Sequence, residues 1–258
     1  MIRKLSRSLL VASLSVVLPT LLAAQGGGGA PPRNLQVLPK DLTRGEVVGR
    51  MRIIAASLGV RCEFCHVQVT GPDGRQQDDN AADDKETKKT AREMMKMVND
   101  INDKYLIAGM GKNLSDRQRV SCETCHHGLS KPRTIQAALI DAIEAKDADS
   151  AIALYRDLRG KYYGRAAYDF GESAILLLVP QGTPPIPRPA AVALLKLNLE
   201  FYPQSVPTFQ SLSQQFLQLG DTASAVEALN KAIAIAPDNQ QLKNMLNRIK
   251  GTRPPQDR

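Results

Sequence analysis

The chain has 258 residues, a length that accommodates two modest domains. Its formal net charge is +8, but the basic residues are spread out and form no run with interleaved aromatic residues, so nucleic acid is not an expected partner. Tryptophan is absent and aromatic residues make up only 4% of the chain, which excludes a core built on large aromatic side chains.

The N-terminus has the pattern of a secretory signal peptide. Arg3, Lys4 and Arg7 supply positive charge ahead of an apolar run from Leu9 to Ala24. With 16 residues, this run is short for a membrane span. The sequence therefore predicts an exported, periplasmic protein, with an uncleaved leader that associates with the membrane as the alternative.

Two helices are predicted after a Gly/Pro-rich linker. The first begins with a capping box, in which Thr43 and Glu46 each satisfy the other's backbone amide, and it ends at Gly59. The second runs from about Asp84 to Leu106, and a polar, Asp-rich loop over residues 71–87 leads into it. Each helix precedes one copy of a short cysteine motif.

Both copies of this motif have the sequence Cys-x-x-Cys-His, over residues 62–66 and 122–126. This is the attachment sequence for c-type haem. Two thioether bonds hold the porphyrin, and the histidine coordinates the iron. The two copies use all four cysteines, so no thiol remains for a disulfide or a catalytic nucleophile. The residues predicted to bind haem are Cys62, Cys65, His66, Cys122, Cys125 and His126.

Zinc binding and thioredoxin-like redox chemistry fit the same cysteines less well. A redox pair does not require the histidine that follows both copies. Paired zinc knuckles are usually about 15–20 residues apart, whereas 56 residues separate these two. Zinc would also leave both histidines without a role. Two covalently attached c-type haems are therefore the predicted cofactors, and helices packed on porphyrin explain the low aromatic content.

The sixth ligand of each iron has to come from outside the motifs. The remaining histidine, His127, adjoins His126 and cannot easily reach the far side of the same haem, so methionine is the natural alternative. Met51 lies on the apolar face of the first helix, where ordinary core packing is an equally good interpretation. The candidates for the second iron, between which spacing does not choose, are Met94, Met95, Met97 and Met110.

The region that contains both motifs resembles the photosynthetic reaction-centre cytochrome c subunit family. The similarity covers about 100 residues and includes both haem motifs, the helices before them and their order. The similar segments are 34–51, 61–67, 89–94 and 120–128. The resemblance implies that Met51 is the sixth ligand of the first iron and Met94 that of the second, with Met95 and Met110 as competitors.

This chain departs from that family in three respects. Family members carry four haems in two repeated halves, and this chain matches one half. The family half also supplies a histidine to another haem, but residues 103–121 contain none. The residue after the second motif is often Arg in the family, whereas here it is His127, interpreted as a surface or propionate-contacting side chain. The expected redox partner is accordingly either a membrane-bound reaction centre or a respiratory complex.

The C-terminal part is Ala/Leu-rich and predicted to be helical. Two similar windows, 147–152 and 221–226, each open a helix. Three residues recur at an offset of 34, the tetratricopeptide period: Ala191, Leu195 and Pro203 return as Ala225, Leu229 and Pro237. Asn198 departs from this pattern, because a small residue is expected there. About three helix pairs are predicted, whose concave surface either docks a protein partner or packs against the haem domain.

The predicted fold class is all-α, a small dihaem c-type cytochrome domain followed by a tetratricopeptide-like helical repeat domain. The predicted organisation is a signal peptide over 1–24, a linker over 25–36, the haem domain over 37–133, the repeats over 134–250 and a disordered tail over 251–258.

The leading functional interpretation is an exported electron carrier, not an enzyme, that passes electrons between redox proteins. Iron with histidine and methionine ligands has no open coordination position. One alternative is a dihaem peroxidase-like enzyme, which the scarcity of histidine disfavours. Another is a tetratricopeptide scaffold in which haem is auxiliary.

Overall fold

The computed structural model describes residues 31–112, 115, 118–179 and 185–251. The predicted signal peptide lies outside the described residues, and so do half of the linker and nearly all of the predicted tail. The described part is mainly helical, which confirms the all-α fold class, and a two-stranded hairpin is the exception. The division into domains stays a prediction.

The N-terminal part, residues 31–128, combines short helices with one hairpin. Its elements are α1 (Arg44–Leu58), a 3₁₀ turn (Cys62–Phe64), β1 (Val67–Thr70), β2 (Gln76–Asp79), α2 (Glu86–Asp100), a π-helical turn (Ile101–Leu106), α3 (Ile107–Met110) and α4 (Cys122–His126). The C-terminal part is built of seven helices among the described residues: α5 (Ile135–Ala145), α6 (Ala148–Tyr162), α7 (Glu172–Leu178), α8 (Arg188–Phe201), α9 (Val206–Gln218), α10 (Thr222–Ile235) and α11 (Gln240–Ile249).

The predicted limits of the first helix are confirmed. The Thr43 amide donates to Glu46 Oε2 at 2.7 Å, and the Glu46 amide donates to Thr43 Oγ1 at 3.4 Å, which is the capping box. The hydrogen bonds from Thr43 also hold the pKa of Glu46 below its usual value. At the other end, Gly59 has a left-handed backbone conformation with φ +65°, which glycine adopts without steric cost.

The prediction of a loop over residues 71–87 is wrong, because β2 and the start of α2 lie within it. Strands β1 and β2 pair antiparallel, with Val67 opposite Asp79. The turn between them has the sequence Gly-Pro-Asp-Gly, in which Asp73 Oδ1 accepts from the Arg75 amide at 3.1 Å and Gly74 has φ +76°. Proline, aspartate and glycine in this order favour a tight turn, so the signal was present in the sequence.

The second helix differs from its prediction at both ends. It begins at Glu86 and continues through the π-helical turn into α3, so that Met110 ends a helix and does not lie in a loop. Between Glu86 and Gly109 the sequence contains no proline or glycine that would interrupt a helix. The helical stretch ends before Gly111, whose φ of +90° is outside the helical region. The methionines of this stretch are therefore carried on one continuous helical segment.

The two parts differ in how they are packed. Every buried apolar side chain among the described residues lies at Leu129 or beyond. Within the described residues of the N-terminal part, only three side chains are buried, and all are polar: Ser57, Lys88 and Asn102. The N-terminal part thus has no apolar core formed by protein side chains alone, whereas the C-terminal helices enclose one.

The 34-residue offset in the sequence corresponds to a structural repeat. Helices α5 and α6, α7 and α8, and α9 and α10 pack together in consecutive pairs. The repeated residues Ala191, Leu195, Ala225 and Leu229 are all fully buried. Each of the two repeated prolines lies two residues beyond a helix end, after α8 and after α10. Equivalent positions therefore have equivalent roles in the two helices.

Polar side chains cap two of the C-terminal helices and link three others. Asp147 and Asp221 cap α6 and α10, accepting from backbone amides three residues on at 2.8 and 3.0 Å. Asn198, which departs from the repeat pattern, is fully buried and donates to Thr208 Oγ1 at 2.8 Å and to the Glu172 carbonyl at 3.1 Å. The side-chain amide of Asn198 therefore links α8 to α7 and α9 by hydrogen bonds, where the repeat pattern would have a small side chain.

Candidate functional site: two haem-attachment turns

The first motif forms a single tight turn. The amides of Cys65 and His66 donate to the Cys62 carbonyl at 3.2 and 3.0 Å, so the two cysteines lie one turn apart. Cys62 is exposed and Cys65 is half-buried. This geometry places the two cysteines one turn apart and the histidine directly after them, as thioether attachment of one porphyrin requires.

The imidazole of His66 is set up as a neutral ligand. Its Nδ1 atom is buried and has no hydrogen-bond partner among the described residues. Burial lowers the pKa of His66, and the positive charge of Lys88 adds to this effect. A neutral imidazole is the form that coordinates a metal ion. The donor set of the first motif therefore fits haem iron.

The second motif forms the short helix α4. Ser121 precedes it, and the Ser121 amide donates to Thr124 Oγ1 at 3.0 Å. His126 Nδ1 lies 2.6 Å from the Leu129 carbonyl oxygen, an arrangement in which the imidazole donates and leaves Nε2 for a metal. His127 ends the helix in a left-handed conformation, with φ +45°. The second motif thus presents its histidine in one fixed tautomer.

One thiol in each motif lies in an environment that does not activate it for chemistry of its own. Burial raises the pKa of both Cys65 and Cys122 above the usual thiol value. A nucleophilic or redox-active cysteine needs the opposite shift. The local environment therefore does not favour the thioredoxin-like alternative.

Helix α1 connects the two motifs through its C-terminal end. The Gly128 amide donates to the Ser57 carbonyl at 2.8 Å. A Cβ atom on Gly59 would lie 2.1 Å from the Gly128 carbonyl oxygen, so the two backbones are in direct contact. Gly59 precedes the first motif and Gly128 follows the second. The end of one motif therefore packs against the entry to the other.

The helical segment that begins with α2 contacts both motifs, one at each end. At the N-terminal end, Lys85 Nζ donates to the Glu63 carbonyl, and Thr87 Oγ1 donates to the Phe64 carbonyl at 2.5 Å. At the other end, the Asn102 side chain makes two hydrogen bonds with the backbone of Val120, just before the second motif. This segment spans from one haem-attachment turn to the other.

A group of charged residues holds the start of α2 in place. Asp83 accepts from Asn34 at 2.9 Å and pairs with Lys88 at 3.0 Å and Arg92 at 2.9 Å. The hydrogen bonds from Asn34 and then Lys88 hold the pKa of Asp83 well below its usual range. Lys88 also donates to the Asn80 carbonyl at 3.0 Å. The segment that follows β2, the N-terminal segment and α2 are thereby joined beside the first motif.

The predicted methionine ligands lie on the helices next to the motifs. Met51 is half-buried on α1, the helix that leads into the first motif. Met94 is 40% exposed on α2, while its neighbour Met95 is half-buried. Met110, at the end of α3, is 58% exposed. Which sulfur serves which iron stays a prediction.

The surface of the N-terminal part tests whether porphyrin fits these residues. Several large apolar side chains there are left uncovered by protein: Val48, Ile53, Phe64, Val69, Met94, Met97, Tyr105 and Met110. A part of the chain that buries no apolar side chain of its own needs another apolar surface to pack on. Two porphyrins attached at the turns within this same part would meet that need, so the residues fit the cofactor.

Sequence reasoning missed the residues that position the motifs. Lys85, Thr87 and Asn102 act on backbone groups that are 18 to 23 residues away along the chain. The Leu129 carbonyl that binds His126 was also not anticipated. Such contacts depend on tertiary structure and leave no periodic signal in the sequence. Only Asn102, a polar residue on an otherwise apolar helix face, gave an indication.

The described N-terminal residues, with two Cys-x-x-Cys-His turns and no buried apolar side chain before Leu129, fit a c-type cytochrome domain. Residues 41–144 match the family model described as photosynthetic reaction centre cytochrome C subunit. This match confirms the resemblance found in the sequence and supports covalently bound haem c and a cytochrome-like electron-transfer role. It includes α1 to α4 and nearly all of α5, and residues 145–258 lie outside it.

No curated protein and no solved structure matches the chain. Within the part of the chain that the structure describes, no helix has the length and apolar character needed to span a bilayer.

Proposed function

We propose that the chain is an exported dihaem c-type cytochrome that transfers electrons between redox partners. The observation that carries this proposal is the pairing of two haem-attachment turns with a part of the chain that has no apolar core of its own. When attached, each haem supplies a one-electron ferric/ferrous couple. The chain's residues hold the porphyrins, fix the axial ligands and exclude water.

The proposed axial ligands are a histidine and a methionine for each iron. His66 and His126 are the proximal ligands, Met51 is the distal ligand of the first haem, and Met94 that of the second. The hydrogen bond from His126 Nδ1 to the Leu129 carbonyl orients the ring and increases its basicity. Methionine sulfur favours ferrous iron and raises the potential. With both axial positions filled, neither iron binds a substrate.

The proposal that the haems act as a pair is supported by the contacts between the motifs. The Gly128–Ser57 hydrogen bond and the segment from Lys85 to Asn102 join the two turns in one unit. Two haems held on such a unit keep a constant separation. The chain's own residues would then hold the two redox groups in place, and transfer between them would need no rearrangement of the chain.

The proposed partners are redox proteins, either a membrane-bound reaction centre or a respiratory complex. The proposed site of action is the periplasm, supported by the leader pattern in residues 1–24. We also propose that the helices of residues 134–250 form tetratricopeptide-like repeats that dock a protein partner. The haem domain, over residues 37–133, would then face that partner's own redox centre.

A redox titration of the exported protein tests the function. The protein is produced with c-type cytochrome maturation and titrated while haem absorbance is recorded. Two one-electron couples are expected, with a thioether-to-iron charge-transfer band and no binding of carbon monoxide by the reduced protein. Two high-spin haems that bind carbon monoxide, or steady-state turnover of hydrogen peroxide far above that of free haem, would contradict the proposal. The second result would favour the peroxidase-like alternative.

A further inference from the structure

The side chain of Asn102 binds both backbone groups of one distant residue. Its Nδ2 donates to the Val120 carbonyl at 2.8 Å, and its Oδ1 accepts from the Val120 amide at 2.8 Å. Asn102 is only 6% exposed. Asparagine carries a donor and an acceptor on one short planar group, so a single side chain replaces the pair of bonds that a neighbouring strand would make.

Asn102 stands at an irregular point of the helical segment. The stretch from Glu86 to Met110 is interrupted by the π-helical turn over residues 101–106. Turns of this kind occur frequently at functional sites. Residues seven apart lie on nearly the same helix face. Asn102 therefore shares a face with Met95, about two turns further along the helix, and Met94 lies on the neighbouring face. The helix carrying the candidate ligands therefore meets the second motif at Asn102.

The bound residue, Val120, lies at the entry to the second motif. Ser121 follows it and precedes α4, which carries Cys122 and His126. Between the described residues of the same two segments, one other side-chain contact is present, the ion pair of Arg119 with Asp103 at 3.3 Å. Its side chains are 42% and 62% exposed, and pairs of this kind contribute little. The buried amide of Asn102 is thus the main connection between the π-helical turn and α4.

We propose that Asn102 is a positioning residue that fixes the second haem-attachment turn against the methionine-bearing helix. The inference rests on the proposed function, because it concerns the axial ligands of the second iron. By holding Val120, Asn102 sets the distance between His126 and the helical methionines. The first haem-attachment turn is held by separate contacts at the other end, from Lys85 and Thr87. Loss of the Asn102 amide should therefore affect one haem and not the other.

The test compares the Asn102→Ala variant with the unsubstituted parent protein, both as full-length chains, by redox titration and by carbon monoxide binding. The expected result is a lower potential for one couple, an unchanged second couple, and carbon monoxide binding by up to half of the haem iron. Asn102→Gln, which keeps donor and acceptor on a longer side chain, should restore part of the potential. Asp103→Asn, which removes only the exposed ion pair, is the matched control and should leave both couples unchanged.

Two outcomes would overturn the inference. If Asn102→Ala lowers thermal stability while both couples and the carbon monoxide result stay as in the parent, Asn102 has only a structural role. If that variant is not recovered with two haems, Asn102→Asp decides, since it keeps the acceptor for the Val120 amide and loses the donor. Unchanged couples in Asn102→Asp then refute the inference. A parent protein without low-spin haem would instead refute the proposed function.

Discussion

Gly59 and Gly128 touch through their backbones, so that a Cβ atom on Gly59 would lie 2.1 Å from the Gly128 carbonyl oxygen. The Gly128 amide donates to the Ser57 carbonyl at 2.8 Å in the same contact. Neither residue carries a side chain, yet together they set how α1 meets the end of the second motif. The absence of a side chain at residue 59 is therefore a requirement of the contact between α1 and the end of the second motif.

Replacing Gly59 with alanine should destabilise the N-terminal part by about 2 kcal/mol or more. The added methyl group meets backbone that cannot move aside, and φ of +65° is strained for alanine. Denaturant unfolding followed by haem absorbance measures the change.

The matched control is Gly49→Ala, in the same helix. No described atom lies within 4 Å of a Cβ at residue 49, and φ there is not positive. Alanine in an exposed helix interior should stabilise by about 1 kcal/mol. Equal effects of the two variants would show that the Gly59 contact is unimportant.

Replacing Met51 with leucine should open the first iron. Leucine has a similar volume, so packing is kept while the sulfur ligand is lost. The potential of one couple should fall, and reduced protein should bind carbon monoxide at one of its two haems. Arg52→Lys, at an exposed position of α1 and with the charge kept, is the control and should change neither property. An unchanged spectrum in Met51→Leu would assign Met51 to packing alone.

The distal ligand of the second iron can be assigned by three parallel variants. Met94→Leu should open the second iron to carbon monoxide and lower the reduction potential of the second haem, because Met94 is its proposed ligand. Met95→Leu and Met110→Leu should leave both haems low-spin. If either of these variants opens an iron and Met94→Leu does not, the assignment moves to that residue. The same spectra measured in a Met51→Leu background distinguish the two haems.

The two parts of the chain should differ in their need for haem. A variant with all four cysteines replaced by alanine should lose protection from hydrogen exchange across residues 31–128, where no apolar side chain is buried by described protein. The region from Ile135 onward should stay protected, because its core is made of protein side chains. Hydrogen exchange with mass spectrometry reports both regions in one experiment. Full protection of residues 31–128 without haem would contradict the packing argument.

The aspartate that caps α10, Asp221, should make the stability of the C-terminal helices depend on pH in the acid range. Hydrogen bonds from the side chain and amide of Ser224 lower the pKa of Asp221 in the folded chain. A carboxyl whose folded pKa lies below its unfolded pKa stabilises the fold above that unfolded value, and the stabilisation is lost as pH falls through the folded value. The effect of Asp221 should therefore disappear below about pH 4.

Asp221→Asn isolates this effect, because asparagine also caps a helix and does not titrate in this range. The variant and parent should have similar thermal midpoints near neutral pH. On acidification the midpoint of the parent should fall further than that of the variant. Parallel curves for the two proteins over the acid range would show that Asp221 does not contribute through its charge.

The features that were predicted from sequence are local or periodic. The capping box of Thr43 and Glu46 spans four residues, and the 34-residue repeat of Ala191 and Ala225 is a regular spacing. The haem-attachment residues are likewise predicted from five consecutive positions that carry the chemistry. The bonds of Asn102 to Val120 could not be predicted, since they join residues 18 apart with no pattern between them. The hairpin was missed although its turn sequence indicated it.

Mass spectrometry of the mature, exported protein tests the central claim most directly. The account predicts a mass that exceeds the polypeptide by two haem groups, with one modification on the peptide containing Cys62 and Cys65 and one on the peptide containing Cys122 and Cys125. A protein recovered with four unmodified cysteines after expression with active c-type maturation would contradict it.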